Sequence, residues 1–119
     1  MNTINSKNEI RIYGAGGHSH VIKEVLRMNG YVVTSTFDDK PKQAHYASKN
    51  VTIGARKSIK EFPHKGAPVI IAVGVNAERA EIADFLKCTY EKAIHKSAII
   101  SETSKIGEGT VVFAGAIIQ

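Results

Sequence analysis

At 119 residues the chain has room for one compact domain and a short appendage, not for two full domains. A hydrophobic share of 43% and a charged share of 23% exclude general disorder, and no apolar run approaches the roughly 18 residues of a membrane-spanning helix. The net charge of +5 raises nucleic acid as a partner, but the lysines are dispersed, from Lys40 through Lys65 to Lys105, with few aromatics between them, so neither a basic stripe nor a stacking platform is expected.

Residues 1–8 are polar, lack the apolar core of a signal peptide and are expected as a loose tail. A single cysteine, Cys88, rules out an internal disulfide and suits the reducing cytoplasm. Over residues 9–90 strand-like and helix-like segments alternate. Ile10, Ile12 and Tyr13 predict a first strand, broken by Gly14-Ala15-Gly16-Gly17. Val21, Ile22, Val25, Leu26 and Met28 then recur at helical spacing, with Gly30 where a C-terminal cap belongs. A second strand is predicted over residues 31–37, ending at Asp38-Asp39, and Lys40-Pro41-Lys42 opens a polar loop. Residues 58–62 read as a short helix stopped by Pro63. Val69-Ile70-Ile71-Ala72-Val73 is continuous and largely β-branched, as suits a parallel strand buried on both faces. Residues 77–87 predict a helix with Asn76 as its N-cap. Three strand–helix pairs in succession imply an α/β class: a small Rossmann-like parallel sheet with right-handed crossovers.

Over residues 91–119 the pattern changes to a period of six. Ile94, Ile100, Ile106, Val112 and Ile118 recur at that spacing, and the small residues Ala98, Ser104, Thr110 and Ala116 follow four positions after the first four. Ordinary strands would show a period of two. A six-residue period is that of hexapeptide repeats in a left-handed parallel β-helix, in which each side of a triangular coil turns one aliphatic inward. Three hexapeptides make one coil, so the segment supplies little more than a first turn, and solenoid units need several neighbours to bury their faces. The chain is therefore expected to be a piece of a longer protein, or to be covered at that end by another chain.

Three clusters carry candidate chemistry. Gly14, Ala15, Gly16, Gly17, His18 and Ser19 lie between the first strand and the first helix, where backbone N–H groups and a helix N-terminus can face a phosphate. The spacing nearly matches the dinucleotide fingerprint, with Ser19 in place of the third glycine. A tight turn needing positive φ accounts for one or two of these glycines but hardly three. His18 can donate a hydrogen bond to a diphosphate, and is as readily a structural or exposed histidine. His20 is less favoured, His45 and His64 sit in polar loops, and His95 opens the repeats. Asp38 and Asp39 follow the glycines by about twenty residues, where a carboxylate accepts hydrogen bonds from a ribose or a base; they are equally turn-forming aspartates. Gly74, Val75 and Asn76, with Arg79, close the third strand. All three clusters fall at the carboxyl ends of parallel strands, where open α/β sheets bind ligands. Cys88 has no partner pattern and is expected to be an inert, buried thiol. No zinc spacing, paired carboxylates or Ser-His-Asp order occurs, so no metal is expected and no catalytic residue is assigned.

Taken in order, Gly-Ala-Gly-Gly-His-Ser, Phe-Asp-Asp, Ile-Ala-Val-Gly-Val-Asn and Ile-His-Lys-Ser-Ala leading into hexapeptides, the chain resembles the PglD/NeuD-like sugar O/N-acyltransferases from about Ile10 to Gln119. That family includes UDP-4-amino-sugar N-acetyltransferases and sialic acid O-acetyltransferases. The resemblance implies a sugar nucleotide on the α/β domain and acetyl-CoA bound by the β-helix at the interfaces of a homotrimer. It also implies diphosphate contacts from residues 14–19, uridine contacts from Asp38 and Asp39, and a pocket lined by residues 74–76. The family's acid/base histidine lies on a later coil, and no position up to Gln119 matches it. The chain is thus expected to bind a UDP-sugar, or UDP alone, without turning over acetyl-CoA. Two other classes stay open: an NAD-binding oxidoreductase module, which the glycine turn and Asp38 would serve equally, and a non-enzymatic module whose coil stacks on another chain.

Overall fold

The computed structural model describes residues 8–39, 51–53 and 66–119, with only the backbone of residues 51–53. Most of the expected N-terminal tail, the polar loop at Lys40 and the short helix over residues 58–62 lie outside these residues.

Strand β1 (Glu9–Tyr13) leads into helix α1 (Gly17–Met28), then strand β2 (Val32–Asp38), strand β3 (Val51–Ile53), strand β4 (Val69–Ile71) and helix α2 (Asn76–Leu86). The four strands form one parallel sheet in the order β3-β2-β1-β4. Alternation along the strands divides the apolar residues between two faces. Ile10, Ile12 and Ile70 pack with Ile22, Val25 and Leu26 of α1; Tyr13, Phe37, Val69 and Ile71 pack with Ile82 and Leu86 of α2. Cover on both sides is why these strands read as near-continuous apolar runs.

The β1–β2 register slips between Ile10 and Arg11, so that Ile10 faces Val33 and Arg11 faces Ser35. The extra residue, Thr34, donates its hydroxyl to the Ile10 carbonyl at 3.2 Å. Inserting one residue flips the side-chain parity of the rest of the strand. Val33 accordingly packs on the α1 side whereas Phe37, four residues on, packs on the α2 side. By the same alternation Asp38 turns toward the α1 side, where the glycine turn lies.

Several boundaries differ from those predicted. β4 stops at Ile71 rather than continuing to Val73, because β1 ends at Tyr13 and the last ladder bond is Ala72 N–H to the Tyr13 carbonyl, 2.7 Å. Asn76 is the first residue of α2 and not its N-cap; Val75 occupies the cap without a side-chain bond, its carbonyl accepting from Arg79 N–H at 2.9 Å. α1 ends as the sequence suggests: Gly30 N–H bonds to the Arg27 carbonyl and Tyr31 N–H to the Leu26 carbonyl, both 3.0 Å, with Gly30 at φ +83°. This is a Schellman closure around a left-handed glycine.

Lys23 lies on the buried side of α1, 3% exposed, and its Nζ has no hydrogen-bond partner among the described residues. Desolvation, and then the neighbouring Arg27 charge, lower its pKa. Lys23→Met is expected to raise the unfolding free energy by about 1 kcal/mol, since it removes an unpaired buried cation and keeps its apolar stem. The folded protein binds this proton less tightly than the unfolded chain. Wild-type stability relative to Lys23→Met should therefore recover as pH rises from the depressed pKa toward 10.5. Urea titrations of both proteins between neutral and alkaline pH measure that difference.

Four short strands complete the chain: β5 (Ala93–Ile94), β6 (Ile99–Ile100), β7 (Val111–Val112) and β8 (Ile117–Ile118). They pair in parallel as β5–β7 and β6–β8, with partners eighteen residues apart, the length of three hexapeptides. The bonds run from one level to the next, Ala93 N–H to the Thr110 carbonyl at 2.9 Å and Ile99 N–H to the Ala116 carbonyl at 2.8 Å. Of the period-six aliphatics, Val112 is buried and Ile94, Ile100, Ile106 and Ile118 are half-buried, whereas Ile99 and Ile117 are 64% and 65% exposed. The tail packs on the sheet domain rather than trailing from it. Ala93 and Val111 join the α1-side core, Asn29 Nδ2 donates to the Ile94 carbonyl at 2.6 Å, and Arg79 of α2 donates to the Gly109 carbonyl.

Candidate nucleotide site

The site is built at the carboxyl edge of β1, β2 and β4. Gly14 ends β1 at φ +117°, and an alanine Cβ there would stand 2.6 Å from the Ala72 carbonyl oxygen. Its N–H bonds to the Phe37 carbonyl at 2.6 Å. Glycine is thus required at this position twice over, by its dihedral and by the approach of the chain leaving β4. Gly16 has φ −85° and ψ −166°, an ordinary extended conformation, and Gly17 is the first residue of α1. Positive φ therefore accounts for Gly14 but not for Gly16 or Gly17. The absence of side chains at those two, at the open end of a helix, leaves backbone N–H groups accessible where the helix dipole favours an anion.

Two side chains hold the turn from inside. The buried Asp38 carboxylate accepts the Ala15 N–H at 2.7 Å, with Ala15 fully buried. Ser19 is also fully buried, and its hydroxyl donates to the Gly16 carbonyl at 2.6 Å. The other aspartate behaves differently. Asp39 is exposed and accepts the phenolic hydrogen of Tyr13, which is itself only 2% exposed.

Gly17, His18 and the turn Gly74, Val75 and Asn76 are exposed at the same edge. His18 lies over the second turn, where a Cβ placed on Gly74 would come within 4.0 Å of its Cγ. The N-termini of α1 and α2 are thus brought side by side, with Asp38 behind the first. His20 faces elsewhere, 4.0 Å from Glu24 and well exposed. Beside Asn76 opens a cavity of about 300 Å³ between α2 and the tail, floored by Ile71, Ala80 and Ala83 and bordered by Tyr90, Glu108 and Gly109. Tyr90 donates its hydroxyl to the Ala83 carbonyl at 2.8 Å, and burial raises its pKa.

The site includes residues that the sequence motifs did not mark. Tyr13 anchors Asp39, and Phe113 of the tail meets His18 edge-to-face, ring centroids 6.1 Å apart. Phe113 is an aromatic among aliphatic repeats, which is the only trace of it in the sequence. Cys88, expected to be buried, is half-exposed, with its thiol 3.4 Å from the Leu86 carbonyl. Among the described residues no cluster of His, Cys, Asp and Glu is arranged to hold a metal ion, and no helix is long and apolar enough to cross a membrane.

A family model described as the PglD N-terminal domain matches residues 9–86, spanning the sheet from β1 through α2. A curated relative, UDP-N-acetylbacillosamine N-acetyltransferase of Bacillus subtilis (strain 168), is 38% identical over 111 residues, covering 88% of this chain and 51% of its own length. The chain thus spans about half the length of that relative. Among solved structures, PerB from Caulobacter crescentus, determined with CoA and GDP-perosamine, superposes with a TM-score of 0.80 at 29% identity, over 93% of this chain and 54% of that one. The acetyltransferase domain of PglB from Neisseria gonorrhoeae FA1090 superposes with a TM-score of 0.71 at 27% identity, over 92% and 55%. The match across the whole sheet, glycine turn included, shows that the chain belongs to the PglD N-terminal domain family.

Proposed function

We propose that this chain is the nucleotide-sugar-holding part of an acetyl-CoA-dependent sugar acetyltransferase, and that its own activity is binding a UDP-sugar through the diphosphate. The observation that carries the reading is the open N-terminus of α1, bare at Gly16 and Gly17 and braced from behind by the Asp38–Ala15 bond. A diphosphate placed there would accept backbone N–H groups and a hydrogen from the exposed His18 ring, at the positive end of a twelve-residue helix. Asp39 and the Gly74 turn flank that position, on the sides where a nucleoside and a sugar would extend. Asp38, whose carboxylate oxygen is spent on Ala15, would shape the turn, leaving the exposed Asp39 as the better placed of the two for the base.

The acetyl-CoA step belongs to this reading as the chemistry of the whole enzyme. A neutral sugar amine, or a hydroxyl, attacks the thioester carbonyl with general-base assistance, the C–S bond breaks, and CoA leaves as the thiol carrying the proton lost by the nucleophile. The curated relative's name and the CoA-bound PerB complex support acetyl transfer to a nucleotide-linked amino sugar. The tail fits the same reading as the first coil of a left-handed β-helix, since its parallel pairs recur after three hexapeptides. A homotrimer built through further coils would follow.

Isothermal titration calorimetry with UDP, GDP and NADH tests the site. Saturable binding of UDP, tighter than GDP, is the expected result. Tighter GDP binding would redirect the base assignment, as the GDP-perosamine complex of PerB would then suggest. Binding of NADH with no response to UDP or GDP at millimolar ligand would overturn the proposal in favour of a dinucleotide module.

A further inference from the structure

We infer that Phe113 of the hexapeptide tail is a positioning residue for His18, fixing the imidazole over the start of α1 so that the tail contributes to nucleotide binding without touching the nucleotide. The inference rests on the nucleotide-binding reading above. His18 and Phe113 are ninety-five residues apart in sequence, yet their rings meet at 6.1 Å with an interplanar angle of 82°. That is the edge-to-face arrangement aromatic quadrupoles favour.

His18 needs such a contact. It is exposed at the second position of α1, and among the described residues neither ring nitrogen has a hydrogen-bond partner. An exposed side chain with free rotamers loses entropy when a ligand orders it, and a ring already held in place avoids that cost. The ring is flanked on one side by Gly74, which offers no side chain to displace it, and on another by Phe113.

Phe113 is suited to holding the ring because its own backbone is fixed. Val112, directly before it, is 4% exposed and its carbonyl accepts the His95 N–H at 2.8 Å. The Phe113 carbonyl accepts the Ala116 N–H at 3.3 Å. Val112 is buried and pairs with Ile94, so by alternation the Phe113 side chain lies on the side of Val111, which packs on the α1-side core. It remains 38% exposed and borders, with Val21, Val25 and Met28 of α1, a groove beside that helix; among the described residues its contact with another aromatic ring is with His18.

UDP titrations of the wild-type chain, Phe113→Leu, Phe113→Tyr, His18→Ala and the His18→Ala/Phe113→Leu pair test the assignment. Phe113→Leu is expected to weaken UDP binding roughly two- to tenfold, the range of an edge-to-face aromatic pair. Phe113→Tyr, which keeps the ring edge, should restore it. In the His18→Ala background Phe113→Leu should have no further effect, since the double-mutant cycle isolates the coupling from any general loosening of the fold. Unchanged affinity in Phe113→Leu or in His18→Ala would overturn the inference. So would an equal effect of Phe113→Leu with and without the His18 ring, even if that variant also melts earlier. Failure of the wild-type chain to bind UDP would instead remove the nucleotide reading, and the inference with it.

Discussion

Gly14→Ala is expected to cost on the order of 3 kcal/mol of stability. Two effects act together. An L residue at φ +117° lies outside its favoured regions, and the added Cβ would meet the Ala72 carbonyl oxygen at 2.6 Å and its carbon at 2.9 Å. Both opposing atoms belong to backbone at the end of β4, so no side-chain rotation relieves the clash. Relief requires moving Ala72, which would stretch its 2.7 Å bond to the Tyr13 carbonyl and part β4 from β1. Gly30→Ala supplies the control: it also has positive φ, at +83°, but a Cβ there meets nothing within 4 Å. That substitution should cost only about 1 kcal/mol, the left-handed penalty alone. Urea unfolding followed by circular dichroism separates the two. Equal losses at Gly14 and Gly30 would show that the close approach to Ala72 contributes nothing.

Asp38→Ala should lower stability by about 2 kcal/mol and weaken UDP binding by roughly tenfold, while Asp38→Asn should retain most of both. The Ala15 N–H is completely buried, and the Asp38 carboxylate accepts it at 2.7 Å. Removing the acceptor leaves a donor that water cannot reach, which costs its full desolvation. Asparagine keeps a carbonyl oxygen at the same place and forfeits only the charge. The expected affinity loss follows from the proposed site: Ala15 directly precedes Gly16 and Gly17, which that proposal places against the diphosphate, so loosening Ala15 would disorder them. Calorimetry and denaturation on both variants read the two effects separately. Full affinity in Asp38→Ala would show that the turn keeps its shape without this brace.

Much of the architecture was legible in residue order. The strand–helix alternation, the glycine turn between β1 and α1, the Schellman glycine at Gly30 and the six-residue period all follow from local chemistry. Each is set by dihedral preference or by the repeat of apolar side chains, and neither needs knowledge of distant contacts. The convergence of the glycine turn, Asp38 and the Gly74 turn on one sheet edge was also readable, because parallel strands place their carboxyl ends together. Residue order did not reveal the division of labour within those clusters. Asp38 and Asp39 look equivalent as a pair, yet one braces Ala15 and the other accepts from Tyr13. The parity flip at Thr34 decides which is which, and a one-residue slip of register leaves no compositional mark.

Asn76 illustrates the opposite failure. Its type suits an N-cap, but the bond between Arg79 N–H and the Val75 carbonyl starts the helix one residue earlier than the cap rule predicts. Sequence by itself determined the family of shapes: a parallel sheet, a glycine turn at the start of α1 and a tail of period six. Only the tertiary structure decided that Ser19 turns inward, that Arg79 reaches the tail at Gly109 and that Phe113 meets His18. The physical reason is common to all three. Periodicity and propensity act over a few residues, whereas which buried donor finds which acceptor, and which rings touch, is settled when separate elements compete for the same space.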